Sequence, residues 1–144
     1  MRDPVIDDIM ATEVESVDPD MNIKKAASIL KDLHIGALMV KGEEGYAGIL
    51  SERDLVYKIT AEGRDPDETL VREVMTPDVT YAESGDSIHA CYELMTEHGF
   101  RHLPIKSGDE VVGIVSIRSL FSIRDNENQF MISQLKNYIN DQHR

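Results

Sequence analysis

The chain repeats itself. Shifted by 65 positions, residues 5–55 align with residues 70–120 without a gap. Identical pairs include Met10/Met75, Val14/Val79, Ile23/Ile88, Leu38/Leu103, Lys41/Lys106, Gly48/Gly113, Ser51/Ser116, Arg53/Arg118 and Leu55/Leu120. Core positions between them stay apolar, as at Ile9/Val74, Ala26/Cys91, Leu30/Met95, Val40/Ile105 and Ile49/Ile114. Such a repeat constrains the fold more than any local propensity, because both copies must form the same unit. One copy alone buries too little surface to be comfortably stable. Two copies sharing a core between their sheets are the economical arrangement.

Each copy has the same order of elements. An opening turn, "DDIMATEV" or "REVMTPDV", leads to a short strand and then to an amphipathic helix. In copy one the helix follows Pro19, turns Ile23, Ala26, Ala27, Leu30 and Leu33 to one face, and is expected to end at Gly36. In copy two the face is Ile88, Cys91, Tyr92 and Met95, with Gly99 as the stop. Two strands around a polar turn follow, "ALMV" with "YAGIL" and "LPI" with "VVGIV", and a second helix starts at Ser51 or Ser116. The unit is strand, helix, strand, strand, helix, and the fold class is α+β. The boundaries are residues 5–62 for repeat one, 63–69 for a linker, 70–124 for repeat two and 125–144 for a C-terminal helix. The second helix of copy one runs on into "VYKITAEGRDPDETL" until Gly63 and Pro66 stop it. The tail carries a helical stripe of Ile123, Phe130 or Met131, Leu135, Tyr138 and Ile139, suited either to packing back on the domain or to a dimer contact.

Composition narrows the partners. Twenty-seven acidic residues against 15 basic ones leave a net charge of −12, which repels nucleic acid and requires any anionic ligand to be held by a few well-placed cations. Apolar runs are far shorter than the ~20 residues that span a bilayer, so no membrane segment is expected. The N-terminus "MRDPVIDDIM" lacks the pattern of a signal peptide, and the expected location is the cytoplasm. Cys91 is the only cysteine and sits among apolar neighbours, which suits a small buried helix residue rather than a reactive thiol. His98 and His102 have the spacing of two helical metal ligands, but Gly99 and Pro104 break any helix there, and no metal site is expected.

The two copies differ where chemistry is expected. "GILSERDLV" at 48–56 becomes "GIVSIRSLF" at 113–121, so Asp54 is replaced by Ser119. Ser51-Glu52-Arg53-Asp54 after an apolar strand fits a capping box, which would explain both residues by about 1 kcal/mol of helix stability. The same geometry suits a neutral diol such as a ribose, since a carboxylate can accept two hydroxyl hydrogen bonds. Gly48, without a side chain, would let a ligand approach the strand closely. Copy two supplies Arg101 and His102 as phosphate cations, although either alone reads equally as part of a solvated turn. If the copies face each other about a pseudo-twofold axis, Ser51 and Asp54 meet Arg101 and His102 in one cleft. The opposite cleft receives Ser116, Ser119, Gly36 and Ala37, a poor set for an anion.

The two "G-I-x-S-x-R-x-L" turns, with "GALMV", "RHLPI" and "VREVMTPDV", resemble a tandem pair of cystathionine β-synthase (CBS) domains over about Val5 to Arg124. "GILSERD" matches the family's Gly-hydrophobic-x-Ser/Thr-x-x-Asp nucleotide motif in full, and "GIVSIRS" departs from it at Ser119. The resemblance implies two βαββα repeats packed as one pseudo-twofold module (a Bateman module), commonly joined into a homodimer, with adenosine compounds in its clefts. It implies that Ser51 and Asp54 bind ribose and that Ile49 lines the adenine pocket. Thr80, Tyr81 and Ala82 would meet the base, partly through backbone groups. Arg101 and His102 would meet phosphate, with Arg118 as a third cation. AMP, ADP or ATP are the leading ligands, with NAD and S-adenosylmethionine as rivals, and no catalytic cofactor is implied. The expected role is a sensor that acts on a regulated protein in trans. A purely structural dimerisation module is the alternative. No enzyme is expected, since the chain lacks a nucleophile elbow and its glycine turns lack the P-loop lysine.

Overall fold

The computed structural model describes residues 4–122; the expected helix at 125–144 and its apolar stripe lie outside them. Repeat one contributes strand β1 (Ser16–Val17), helix α1 (Ile23–Leu33), strands β2 (Ala37–Lys41) and β3 (Tyr46–Ser51), and helix α2 (Glu52–Asp54), which continues as a π-wound segment, Leu55–Thr60. Repeat two opens with helix α3 (Val71–Val74) and strand β4 (Thr76–Pro77). It continues with β5 (Ala82–Glu83), α4 (Ile88–His98), β6 (His102–Ser107), β7 (Glu110–Ser116) and a helix over 117–122, α5.

The 65-residue offset survives in the hydrogen-bond register. β1 runs parallel to β2 with Val17 opposite Val40, and β5 parallel to β6 with Ala82 opposite Ile105. The β2–β3 hairpin pairs Ala37 with Ser51, and the β6–β7 hairpin pairs His102 with Ser116. Even the irregularity recurs, between Val40 and Lys41 and between Ile105 and Lys106. The long helices are capped at matching positions. Asn22 Oδ1 accepts from the Lys25 amide at 2.9 Å and Ser87 Oγ from the Ala90 amide at 3.0 Å, each satisfying an orphan donor of the first turn. Both helices end on a left-handed residue, His34 (φ 55°) and Gly99 (φ 72°). Gly36 therefore does not stop α1; the chain turns two residues earlier, and Leu33 is left 46% exposed.

The expected core shared between two sheets is replaced by two clusters and an exchange. One cluster joins Val17, Ile23, Ala26, Leu30, Leu38, Val40, Leu50 and Ile59 of repeat one to Val71 and Val74 from the opening of repeat two. The other joins Ala82, Cys91, Met95, Leu103, Ile105, Val115 and Leu120 to Ile6 from the opening of repeat one. The backbone follows the same exchange. β4 pairs antiparallel with β3, Thr76 opposite Ile49, and completes the sheet β1-β2-β3-β4. Ala11 forms the equivalent bridge to Ile114 of the sheet β5-β6-β7, with both hydrogen bonds made at 2.9 and 3.0 Å. Each repeat thus fills its partner's core. Burying Val71, Val74 and Ile6 completely contributes about 1.5–3 kcal/mol each, and only in the presence of the other copy.

Candidate functional site

The exchange fixes the role of Gly48. A Cβ at this position would lie 2.7 Å from Thr76 O and 2.8 Å from Met75 Sδ, so the bare backbone admits the opening strand of repeat two rather than a ligand. Gly113 does the same for Met10 and Ala11. Beyond the crossing strand, where β3 gives way to α2, a cleft of about 340 Å³ opens between the repeats. It is lined by Ile49, Ser51 and Asp54 from repeat one and by Thr80, Arg101 and His102 from repeat two. The residues expected to grip a diol and those expected to meet a phosphate therefore share one wall-to-wall space, of a size that suits a small ligand.

Asp54 makes every bond of the capping box. Its Oδ2 accepts from the Ser51 amide at 2.8 Å and from the Ser51 hydroxyl at 3.2 Å, while the Asp54 amide donates back to Ser51 Oγ at 3.3 Å. Its Oδ1 faces the Lys58 ammonium at 2.9 Å, and the side chain is only 11% exposed. The same ammonium donates to Val74 O at 2.8 Å, at the end of α3. Lys58 was hidden in the sequence because it falls in the stretch read as leading into the linker. Its one signal is the i,i+4 spacing from Asp54. In repeat two the corresponding contact is a hydroxyl pair, Ser116 Oγ and Ser119 Oγ 3.0 Å apart, with the Ser119 amide donating to Ser116 Oγ at 3.2 Å.

His102 stands between two clefts. Its ring packs on Gly36, where a Cβ would meet Nε2 at 2.8 Å, and this contact accounts for the glycine. Burial holds the His102 imidazole below its usual pKa, with Glu52 opposing that shift and Arg101 adding to it. At neutral pH it is a hydrogen-bonding group rather than a standing cation. The fixed charges on the first cleft are Arg53, Lys58 and Arg101 against Glu52, Asp54 and Asp78, so the lining is balanced in a chain that carries −12 overall. An anion meets less repulsion there than over the acidic surface. Arg53 also lies 5.0 Å over the Tyr57 ring, which places it on the cleft rim with an aromatic beneath it.

Three expected residues stand elsewhere. Ala82 points into the second core cluster, because parallel pairing with Ile105 turns it inward. Tyr81 is off the cleft wall, with Lys106 Nζ 4.1 Å above its ring. Arg118 lines the second cleft, the place that the repeat offset assigns to the counterpart of Arg53. That second cleft measures about 1060 Å³ and contains Gly36, Ala37, Ser116 and Ser119 as expected. It is not poor in cations: Lys31, Arg101 and Arg118 line it, against Glu13, Glu15 and Glu52. Arg101, His102 and Glu52 belong to both clefts. Outside them, the buried Cys91 thiol is pushed up to about 11 by desolvation, with Asp86 and Asp7 adding to the shift, and the His98 ring stacks on Phe100 at 5.3 Å.

The family model for the CBS domain matches this chain twice, over residues 6–61 and 71–126. The chain belongs to the CBS-domain family. As a tandem CBS pair it is similar to the CBS domain-containing protein YhcV of Bacillus subtilis, with 36% identity over 115 residues, 80% of this chain and 81% of that one. Among solved structures it resembles a putative signal-transduction protein with CBS domains from Burkholderia ambifaria, at 35% identity and a TM-score of 0.73, covering 76% of this chain and 81% of the other. The CBS-domain protein ATU1752 of Agrobacterium tumefaciens matches at 30% identity and a TM-score of 0.78, over 84% and 99% of the two chains. Among the described residues of this CBS pair, no helix is long and apolar enough to cross a membrane.

Proposed function

We propose that this CBS pair is a cytoplasmic regulatory module whose first cleft takes an adenosine nucleotide, AMP, ADP or ATP, and whose occupancy is read by a partner protein in trans. One observation carries the reading: Ser51 and Asp54 of repeat one and Arg101 and His102 of repeat two line a single cleft. Ile49 and Thr80 flank it, so apolar contact and hydrogen-bonding groups are both available to a base. A ligand held from both repeats would favour one relative orientation of them. It can shift that equilibrium only by its differential affinity for the two states. Homodimerisation through the exposed Val56, Tyr57 and Phe121 would give a partner a larger surface to read.

A second reading is supported by the bonds of Asp54. The full capping box and the Lys58 ion pair explain its presence without any ligand, as a structural dimerisation module would have it. A thermal-shift panel separates the two, with AMP, ADP, ATP, NAD and S-adenosylmethionine tested on protein freed of copurified ligand and on Asp54→Ala. At 100 times the dissociation constant a ligand stabilises by ~2.7 kcal/mol, several degrees for a chain of this size. The expected result is a shift with one adenine compound that is lost in Asp54→Ala, measured from the variant's own ligand-free midpoint. No shift with any compound in well-folded protein would leave the structural module standing.

A further inference from the structure

Asp54 cannot grip a diol as it stands. An ionised carboxylate offers about four lone-pair sites. Two on Oδ2 are taken by the Ser51 amide and hydroxyl and one on Oδ1 by Lys58, which leaves one for a ligand. A second hydroxyl must displace a partner. The Ser51 amide is fixed by the backbone, and the Ser51 hydroxyl is held by the Asp54 amide that donates to it. Lys58 is the movable partner: its side chain is 42% exposed and ends in a flexible stem. Its ammonium lines the cleft and is positioned there by a second anchor, the carbonyl of Val74.

We propose that Lys58 makes the first cleft select phosphorylated nucleosides over free ones, by occupying Asp54 until a phosphate takes its ammonium. The inference rests on the nucleotide reading above. A free nucleoside that claims both acceptor sites of Asp54 leaves the Lys58 charge with only the carbonyl of the buried Val74. A nucleotide brings its own replacement anion, so the ion pair is exchanged rather than broken. The same side chain therefore opposes one ligand class and rewards the other, which distinguishes it from Arg101, where only the reward is expected. A lysine that merely tied the repeats together would affect both ligands alike.

The test is calorimetric titration of AMP and of adenosine into wild-type protein, Lys58→Met and Lys58→Arg. Met preserves the stem and removes the charge. In Lys58→Met adenosine should bind more tightly and AMP no better than before, so that the AMP-over-adenosine preference falls by about tenfold or more, the worth of one charge-assisted hydrogen bond. Lys58→Arg should retain most of the preference. An unchanged preference in Lys58→Met, or a parallel loss of both affinities, would reduce Lys58 to a structural tie and overturn the proposal while the nucleotide reading stands. Wild-type protein that binds neither compound, nor ADP or ATP in the same titration, would overturn both.

Discussion

Repeat one and repeat two agree residue for residue in register and diverge at the ends of their elements. The β2–β3 and β6–β7 hairpins share pairing and irregularity, and both sheets accept an opening segment from the other repeat. At the start of the second helix the copies part, with the Asp54 carboxylate bonded to Ser51 and Lys58 in one and a bare hydroxyl pair in the other. At the first residue of β2 and of β6, Ala37 in one copy corresponds to His102 in the other. The contrast teaches that the exchange of opening segments demands symmetry, because each copy is the other's core. The clefts tolerate asymmetry because they lie where the exchange is finished.

The largest effect should come from breaking the exchange, and the two copies should not respond equally. Gly48→Ala drives its Cβ into a backbone oxygen, Thr76 O at 2.7 Å, which moves only if β4 moves. Gly113→Ala meets chiefly the flexible end of Met10, with its nearest backbone oxygen, that of Ala11, at 3.0 Å. Overpacking of this kind costs ~1–3 kcal/mol. Gly48→Ala should fall at the top of that range and Gly113→Ala near the bottom, a difference of a few degrees in midpoint by calorimetry. Equal losses would mean that β4 yields as easily as a methionine side chain.

How much of this was legible in the sequence divides along the same line. The repeat, its gapless offset and the alternation of its strands follow from periodicity, and they gave the fold. The exchange is invisible to periodicity, because two opening segments of the same apolar pattern suit their own copy or the other equally well in any alignment. Gly48 did signal a close approach, but spacing alone does not say what approaches. Ser51, Asp54, Arg101 and His102 were reachable because their side chains suit a recognisable chemistry and the pseudo-twofold axis brings them together. Arg118 lines the other cleft, because the axis sends the counterpart of Arg53 there. Lys58 is marked only by its i,i+4 spacing from Asp54, which exposed helix pairs share and which does not announce a second anchor at Val74 O.

A smaller effect sharpens the contrast between His102 and Ala37. Above pH ~6.5 an unfolded histidine is neutral, as is His102 in the fold, and neither state gains from the proton. Below that value the unfolded chain takes up the proton first, because burial keeps the folded pKa lower. Stability should therefore decline as the pH falls from about 6.5 toward the folded value. Midpoints measured between pH 7.5 and 5.5 should fall more steeply in wild-type protein than in His102→Gln, with the carboxylate contributions common to both. Parallel slopes would show that the ring accepts its proton without cost.

The smallest effect should come from making repeat two more like repeat one. Ser119→Asp supplies the carboxylate that the Ser116 amide lacks and should complete a capping box at the start of α5. The gain is about 0.5–1 kcal/mol, a shift of one to a few degrees. It should be less than Asp54 contributes, because the residue equivalent to Lys58 is Ile123 and brings no ammonium. That absence makes the variant informative beyond its stability. If the carboxylate alone creates a diol site, titration of Ser119→Asp should reveal a second binding event for adenine compounds. Without a lysine to guard it, that second event should discriminate AMP from adenosine less than the first does. A second site with undiminished preference would transfer the selection to the shared Arg101 and His102, and one variant would then have separated the carboxylate's role from the lysine's.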